Sequence, residues 1–338
     1  MFRAFLRSDD RMRQMILLAA LACMQPGIGR AQQDRFDDKF LELGAGPSGS
    51  AQRSAGDALC DAVNEDRRHT LVRCVPVALS GAMANMQAVA SGSIQLGIVR
   101  QDVAARSVQD AALRNAADLR LVAWLHETQI GIVTRREAGS TGLPPGPMDM
   151  AGAHDPGSNG SEIVSLLAQA LGLTRAAGAV GQPAPAESVA EAFCARRIDV
   201  VVQAVDHPDA LLQKLLACGG VLIDIPATAA ANIAGRDPAW APAIVPAGTY
   251  DGQGFAVHTL GVRNLLVTSR AVDDQAICRL AATVHERHRQ LRTLPVRADV
   301  EPRPIPIPLH AGAARAHAAP QAWLAACQAP SSDALAWP

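Results

Sequence analysis

IDVVVQAVDHP, Ile198 to Pro208, reads as a strand that runs into a helix at Pro208. A strand feeding a helix is half of a βα unit, and this one belongs to a series. SEIVSLLAQALGL (Ser161 to Leu173) and PAESVAEAFCARR (Pro185 to Arg197) before it read as helices, and VLIDI (Val221 to Ile225) after it reads as a strand. The same grammar runs earlier in the chain. FLELGAG (Phe40 to Gly46) is a strand entering a glycine loop, and Ser54 to Glu65 is a helix with Ala55, Ala58, Leu59 and Ala62 on one face. TLVRCVPV (Thr70 to Val77) and LGIVR (Leu96 to Arg100) are strands, with a helix to about Ala90 between them for which Ser80 is the expected N-cap. LRLVAWL (Leu119 to Leu125) and IGIVTRR (Ile130 to Arg136) are two more strands.

GSTGLPPGPMDMAG (Gly139 to Gly152) interrupts the series with glycine and proline and reads as a crossing between domains. HTLGVRNLLVTS (His258 to Ser269) is a long strand, and Ala271 to Arg292 a long helix with His285 and His288 on its surface. Strands alternating with helices predict an α/β fold with a mainly parallel sheet covered on both faces. Two such units suggest a cleft, with ligands beyond the carboxyl ends of the strands. The loops so placed are Gly44 to Arg53, Val77 to Ser80, Arg100 to Asp102, Asp155 to Ser161 and Gln203 to Pro208.

Composition sets the outer limits. The chain has 338 residues, 49% hydrophobic and 19% charged, with a net charge of −1. That length accommodates two domains and a large core. Nothing in the charge balance points to nucleic acid. Aromatic residues are scarce, and the single tyrosine, Tyr250, stands between Gly248 and Gly252 in PAGTYDGQ.

The first residues have the layout of an export signal. Arg3, Arg7, Arg11 and Arg13 outweigh Asp9 and Asp10; Met15 to Met24 is a short apolar run; and small residues Gly29 and Ala31 precede Gln32. The apolar run is shorter than the ~20 residues of a membrane-spanning helix. Cleavage is expected after Ala31, with lipid attachment at Cys23 or a buried N-terminal helix as alternatives. The mature protein is then expected in the periplasm. Cys60, Cys74, Cys194, Cys218, Cys278 and Cys327 follow the signal and contain no CxxC, which argues against a zinc site. Pairing of sequence neighbours would give Cys60–Cys74, Cys194–Cys218 and Cys278–Cys327. Buried free thiols are an equal alternative.

GAGPSGS (Gly44 to Ser50) lacks the GK[ST] ending of a phosphate loop and the spacing of a nucleophile elbow. It offers backbone N–H groups to an anion, or is a plain tight turn. Gly44, Gly46 and Gly49 match GxGxxG, but the acidic residue a ribose would need falls at Glu65 or Asp66, at the end of a helix. HETQI at His126 is not HExxH, and His207 beside Asp206 ends a strand with no nucleophile near it in sequence. No enzyme, metal or cofactor is expected.

Several stretches together resemble the TAXI-type solute-binding proteins of TRAP transporters. They are SGAMAN (Ser80 to Asn85), LGIVRQDVA (Leu96 to Ala104), DPGSNGS (Asp155 to Ser161), IDVVVQAVDHP, PAGTYDGQ, HTLGV (His258 to Val262) and IPLHAGAAR (Ile307 to Arg315). The resemblance implies a two-lobe periplasmic binding protein fold of class II, with a ligand cleft between lobes. It implies a first lobe of residues 32–136 plus 258–316, a second of 137–257, and a C-terminal tail of 317–338. It also implies capture of a small organic acid or amino acid in the periplasm and delivery to a TRAP-type membrane permease; the expected ligand is a small organic anion (a carboxylate, a dicarboxylate or an acidic amino acid) and the expected state a monomer. A binding module serving a sensor is the runner-up, and an extracytoplasmic hydrolase the third reading.

The residues expected to meet ligand are Ser48, Gly49, Ser50, Gln52, Arg53 and Ser80, then Arg100, Gln101 and Asp102. From the second lobe come Ser158, Asn159, Gly160, Ser161 and Gln203, with Tyr250 either a packing post or a contact. The chain departs from the family where Gly-Gly-Thr-Tyr-Tyr-Pro is usual: Gly49 to Ser54 contain no tyrosine and bring in Arg53. Arg100 replaces the glutamine of Val-Gln-Ser-Asp. Two guanidinium forks matched to carboxylates would favour a dianion; their alternative is solvent, or pairing with Asp57 and Asp102.

Overall fold

In strand β1 (Lys39–Gly44), Leu41 and Leu43 turn inward while Phe40 and Glu42 face out. That is the period-two pattern of a half-buried strand. The computed structural model describes residues 39–47, 50–109, 113–135, 150–151, 167, 186–287, 305, 307–319 and 321–328. Contacts divide the chain into Met1–Lys39 and Phe40–Pro338. The expected signal, the glycine-proline crossing and nearly all of the helix over Ser161 to Leu173 lie outside the described residues.

After β1 come α1 (Ala51–Glu65), the short α2 (Arg67–Thr70), β2 (Val72–Val77), α3 (Ala82–Ala90), β3 (Leu96–Arg100) and α4 (Gln101–Gln109). α1 begins earlier than its apolar face suggests, because the Ser50 hydroxyl caps it by accepting the Arg53 N–H. Ser80 is not the cap of α3. Gly81 takes that position at φ 127° with no side-chain cap, a conformation open to glycine.

LRLVAWL and IGIVTRR are one strand, β4 (Leu119–Arg135), and HETQ is part of it. Irregular register between Leu121 and Ala123 and between Trp124 and Glu127 lets the strand continue past those residues. Then come β5 (Met150–Ala151), α5 (Ala186–Cys194), β6 (Val200–Val205), α6 (Ala210–Ala217), β7 (Gly220–Leu222), α7 (Ala227–Arg236) and β8 (Trp240–Val245). β9 (Val257–Ser269) and α8 (Asp274–Arg287) follow, then α9 (Ala311–Ala318) and α10 (Trp323–Gln328).

The described strands form one nine-stranded sheet, ordered β2-β1-β3-β9-β4-β6-β5, with β7 on β4 and β8 on β9. The expectation of a mainly parallel sheet fails at its centre. β1 is parallel to β3 and β5 to β6, but β9 is antiparallel to β3, β4 and β8. β4 is antiparallel to β6 and β7 as well. The two long strands run against each other and against their flanking strands.

Among the described residues four apolar cores are buried on this sheet, and they divide at β4 and β9. Leu41, Leu59, Ile98, Leu125 and Leu266 belong to one core; Met86, Val99, Leu265 and Val267 belong to a second. Ile130, Ile132, Val202, Trp240 and Val262 form a third; Val133, Phe193, Val201, Leu212, Tyr250 and Val257 form a fourth. β4 therefore leaves the first pair after Leu125 and enters the second at Ile130. β9 makes the return between Val262 and Leu265.

All three neighbour disulfides are present: Cys60–Cys74, Cys194–Cys218 and Cys278–Cys327. The last ties α10 to α8. The C-terminal tail expected over 317–338 is therefore joined to the core at Cys327, which is 1% exposed.

Candidate ligand-binding site

Where the cores change over, the sheet turns polar. Arg100 at the end of β3 lies opposite Asn264 of β9, and Trp240 at the start of β8 lies opposite Val262. β4 occupies one flank of β9, so β3 and β8 share the other flank end to end. The Arg100 guanidinium accordingly sits 5.6 Å from the Trp240 ring centroid. On the far side of β4, β6 ends at Val205 opposite Gln129. The carboxyl ends of β3 and β6 thus both reach the crossing, as expected for a site in such a sheet.

On the β3 side, Asp102 is fully buried and holds two cations. Arg100 donates through Nε to Oδ1 at 2.9 Å and through its terminal nitrogen to Oδ2 at 2.5 Å. Arg106 donates to the same Oδ2 at 3.0 Å and reaches Asp237, before β8, at 3.6 Å. Burial alone would raise the Asp102 carboxyl; Arg100 and Arg106 outweigh it and hold the group below its ordinary range.

On the β6 side a buried polar chain crosses three strands. Asn264 donates through Nδ2 to the Thr128 hydroxyl at 2.7 Å, and Thr128 donates to Asp206 Oδ1 at 2.6 Å. Asp206 Oδ2 lies 2.8 Å from His126 Nε2. Burial works to raise Asp206, but His126, Thr128 and His207 together keep it ionised below its ordinary value. His126 is 2% exposed; among the described residues neither ring nitrogen has a hydrogen bond of normal geometry, but Nε2 has the Asp206 carboxylate beside it while Nδ1 has no polar partner.

Tyr250, expected in a loop, is in a loop and also in a core, 3% exposed. Its oxygen lies 2.6 Å from His207 Nδ1 and accepts the Asp209 N–H at 3.0 Å. Gly248 and Gly252, at φ 75° and 81°, carry the chain around it. Burial keeps His207 neutral, pushing it down to about 4 against the pull of Asp206.

The remaining expected contacts fall as follows. Ser48, Gly49, Ser158, Asn159, Gly160 and Ser161 lie outside the described residues. Ser50 caps α1, and Gln52 donates to the Ile98 carbonyl at 2.9 Å. Asn85 donates to the same carbonyl at 2.8 Å, so the starts of α1 and α3 are both fixed to β3. Arg53 pairs with Asp57 at 2.8 Å, and Arg100 pairs with Asp102. Both arginines thus take the pairing named as the alternative to ligand contact. Ser80 is exposed, Gln101 is buried, and the Gln203 Oε1 is buried with no partner among the described residues. The structure brings together Arg100, Asp102 and Trp240, and separately His126, Thr128, Asp206 and Asn264. Sequence reasoning set His126 aside and left Thr128, Trp240 and Asn264 unmarked.

The sequence profile of the NMT1-like family matches residues 43–318. Among solved structures the chain is similar to a TctC solute binding protein from Polaromonas, with 12% identity and a TM-score of 0.47, over 76% of this chain and 86% of that one. It is similar to a TRAP periplasmic solute binding protein from Ochrobactrum anthropi, with 10% identity and a TM-score of 0.44, over 76% and 77% of the two chains. It is also similar to the periplasmic aliphatic sulphonate binding protein SsuA from Escherichia coli, with 15% identity and a TM-score of 0.42, over 75% and 76%.

Proposed function

This chain belongs to the NMT1-like family, and we propose that it is an extracytoplasmic solute-binding protein of a transport system. The observation that carries the reading is the division of the cores at β4 and β9, with a buried polar belt at the crossing. Two strands shared by two separately packed halves form a hinge, and a solute that touches both halves only when they close will favour closure. In this reading the halves are the lobes 32–136 plus 258–316 and 137–257. Three disulfides suit an oxidising compartment, in keeping with an export signal. The order of motifs from SGAMAN to IPLHAGAAR favours a TAXI-type protein that delivers a small organic anion to a TRAP-type permease. Arg53, one quarter exposed and paired with the half-exposed Asp57, is a cation that can exchange that partner for such a ligand.

The test is a thermal-shift screen of Gln32 to Pro338 against mono- and dicarboxylates, sulfonates, amino acids and sugars, preceded by denaturing extraction to remove any bound solute. A ligand at one hundred times its Kd adds about 2.7 kcal/mol of stability. Stabilisation by one solute class supports the reading. A chain that no class stabilises, and that yields no solute on extraction, is not a solute-binding protein.

A further inference from the structure

Resting on the solute-binding reading, we propose that His126 is a ligand contact, whose Nδ1 takes the acidic oxygen of the solute. Four observations converge on it. His126 stands on β4 between Leu125, the last residue in the first pair of cores, and Ile130, the first in the second. It is 2% exposed, where a polar nitrogen without a partner is costly. Its Nδ1 has no partner among the described residues. Its orientation is fixed by Asp206 at 2.8 Å, itself braced by Thr128 and Asn264. A chain of polar groups across three strands does nothing for apolar packing; it does place one imidazole with one edge against a carboxylate and the other open.

The chemistry left over at the belt selects the ligand. The carboxylates are already engaged, Asp102 by Arg100 and Arg106, and Asp206 by Thr128 and His126. The Trp240 indole nitrogen, which can only donate, is buried with no partner among the described residues. With Nε2 turned to Asp206, a proton on each ring nitrogen would let His126 donate from Nδ1 to the ligand. The Trp240 indole N–H and an N–H at His126 Nδ1 are donors, and they fit the oxyanion of a carboxylate or sulfonate. An imidazolium between Asp206 and the ligand anion is compensated on both sides.

The experiment compares matched acids and neutral analogues on the full mature chain: propionate with propionamide, benzoate with benzamide, and methanesulfonate with methanesulfonamide. Calorimetry gives affinities for wild type and His126→Gln, and 15N spectra of histidine-labelled wild type follow the ring nitrogens without any substitution. Acids are expected to bind at least tenfold more tightly than their amides. His126→Gln is expected to lose at least tenfold for acids and nothing for neutral compounds, and Nδ1 of His126 is expected to shift on adding acid. The inference is overturned by equal binding of acids and amides, by an unmoved Nδ1 signal in the acid complex, or by a wild type that binds only sugars or other neutral solutes. In that last case the transport reading stands; if no solute of any class binds, it falls as well.

Discussion

The phenol oxygen of Tyr250 lies 2.6 Å from Nδ1 of His207. It joins the PAGTYDGQ loop to the turn that starts α6, where it also accepts the Asp209 N–H. Asp209 in turn caps α6 by accepting the Leu212 N–H at 3.0 Å. The phenol therefore fixes a helix start through two half-buried residues. Tyr250→Phe keeps the ring in its core but leaves both groups without an oxygen, and the expected loss is about 1–3 kcal/mol. Urea unfolding reads this directly. A phenol that served only as a ligand contact would instead leave the unfolding midpoint in place and lower solute affinity.

His207 makes stability depend on pH in a definite direction. Its native value is pushed down to about 4 by burial, against 6.5 for the free side chain. The unfolded chain therefore takes up a proton that the native chain refuses, so this contribution is complete above pH ~6.5 and is lost as pH falls toward ~4. At 1.36 kcal/mol per pH unit the full loss is about 3 kcal/mol. Asp206 and Asp102, held low in the native state, add a loss of the same sign at lower pH. Urea midpoints of wild type and His207→Gln between pH 7.5 and 4 isolate the histidine. The difference between the two should shrink as the pH falls, and parallel curves would remove His207 as the cause.

Two aspartates that pair with arginines should behave very differently. Asp102 is wholly buried between Arg100 and Arg106, and Asp102→Asn leaves two cations without their anion. Breaking such a pair costs about 3–5 kcal/mol. Asp57 is nearly half exposed beside Arg53, and Asp57→Asn should cost no more than about 1 kcal/mol. Chemical denaturation of the two variants side by side tests the contrast. A small effect at Asp102 would mean that Arg100 and Arg106 find other partners.

What the sequence made legible was local. β1, β3, β6 and β9 announce themselves by apolar runs; pairing of neighbouring cysteines was one of two equal alternatives, and the structure shows it. β8 was hidden because Pro242 sits within it. Proline is tolerated there because β8 pairs with β9 alone among the described strands. The unity of β4 was hidden because HETQ is polar, and a polar run between two apolar ones reads as a turn. It is instead the stretch that crosses between cores. The role of His126 depends on Asp206, brought beside it by the β4–β6 pairing, and no spacing in the chain records that. Arg53 and Arg100 were legible as unusual residues, but their pairing with Asp57 and Asp102 was legible only as one alternative.

The Cys278–Cys327 bridge carries the final prediction. It closes a sequence separation of 49 residues, against 14 for Cys60–Cys74 and 24 for Cys194–Cys218. On the chain-entropy account a longer closed loop restrains the unfolded state more. Replacing both cysteines of the long bridge by alanine should cost about 4 kcal/mol, and doing so for Cys60 and Cys74 about 3 kcal/mol. The long bridge has a second effect that the short ones lack: it is the covalent link between α10 and α8, and Cys327 is buried in the core with Ile277 and Leu280. Its removal should therefore expose α10 to proteolysis before the rest of the chain unfolds. Limited proteolysis with mass spectrometry distinguishes the two effects. Early cleavage near Trp323 to Gln328 in the double variant, with the remaining chain intact, shows local release; simultaneous loss of the whole chain shows that the bridge acts on global stability alone.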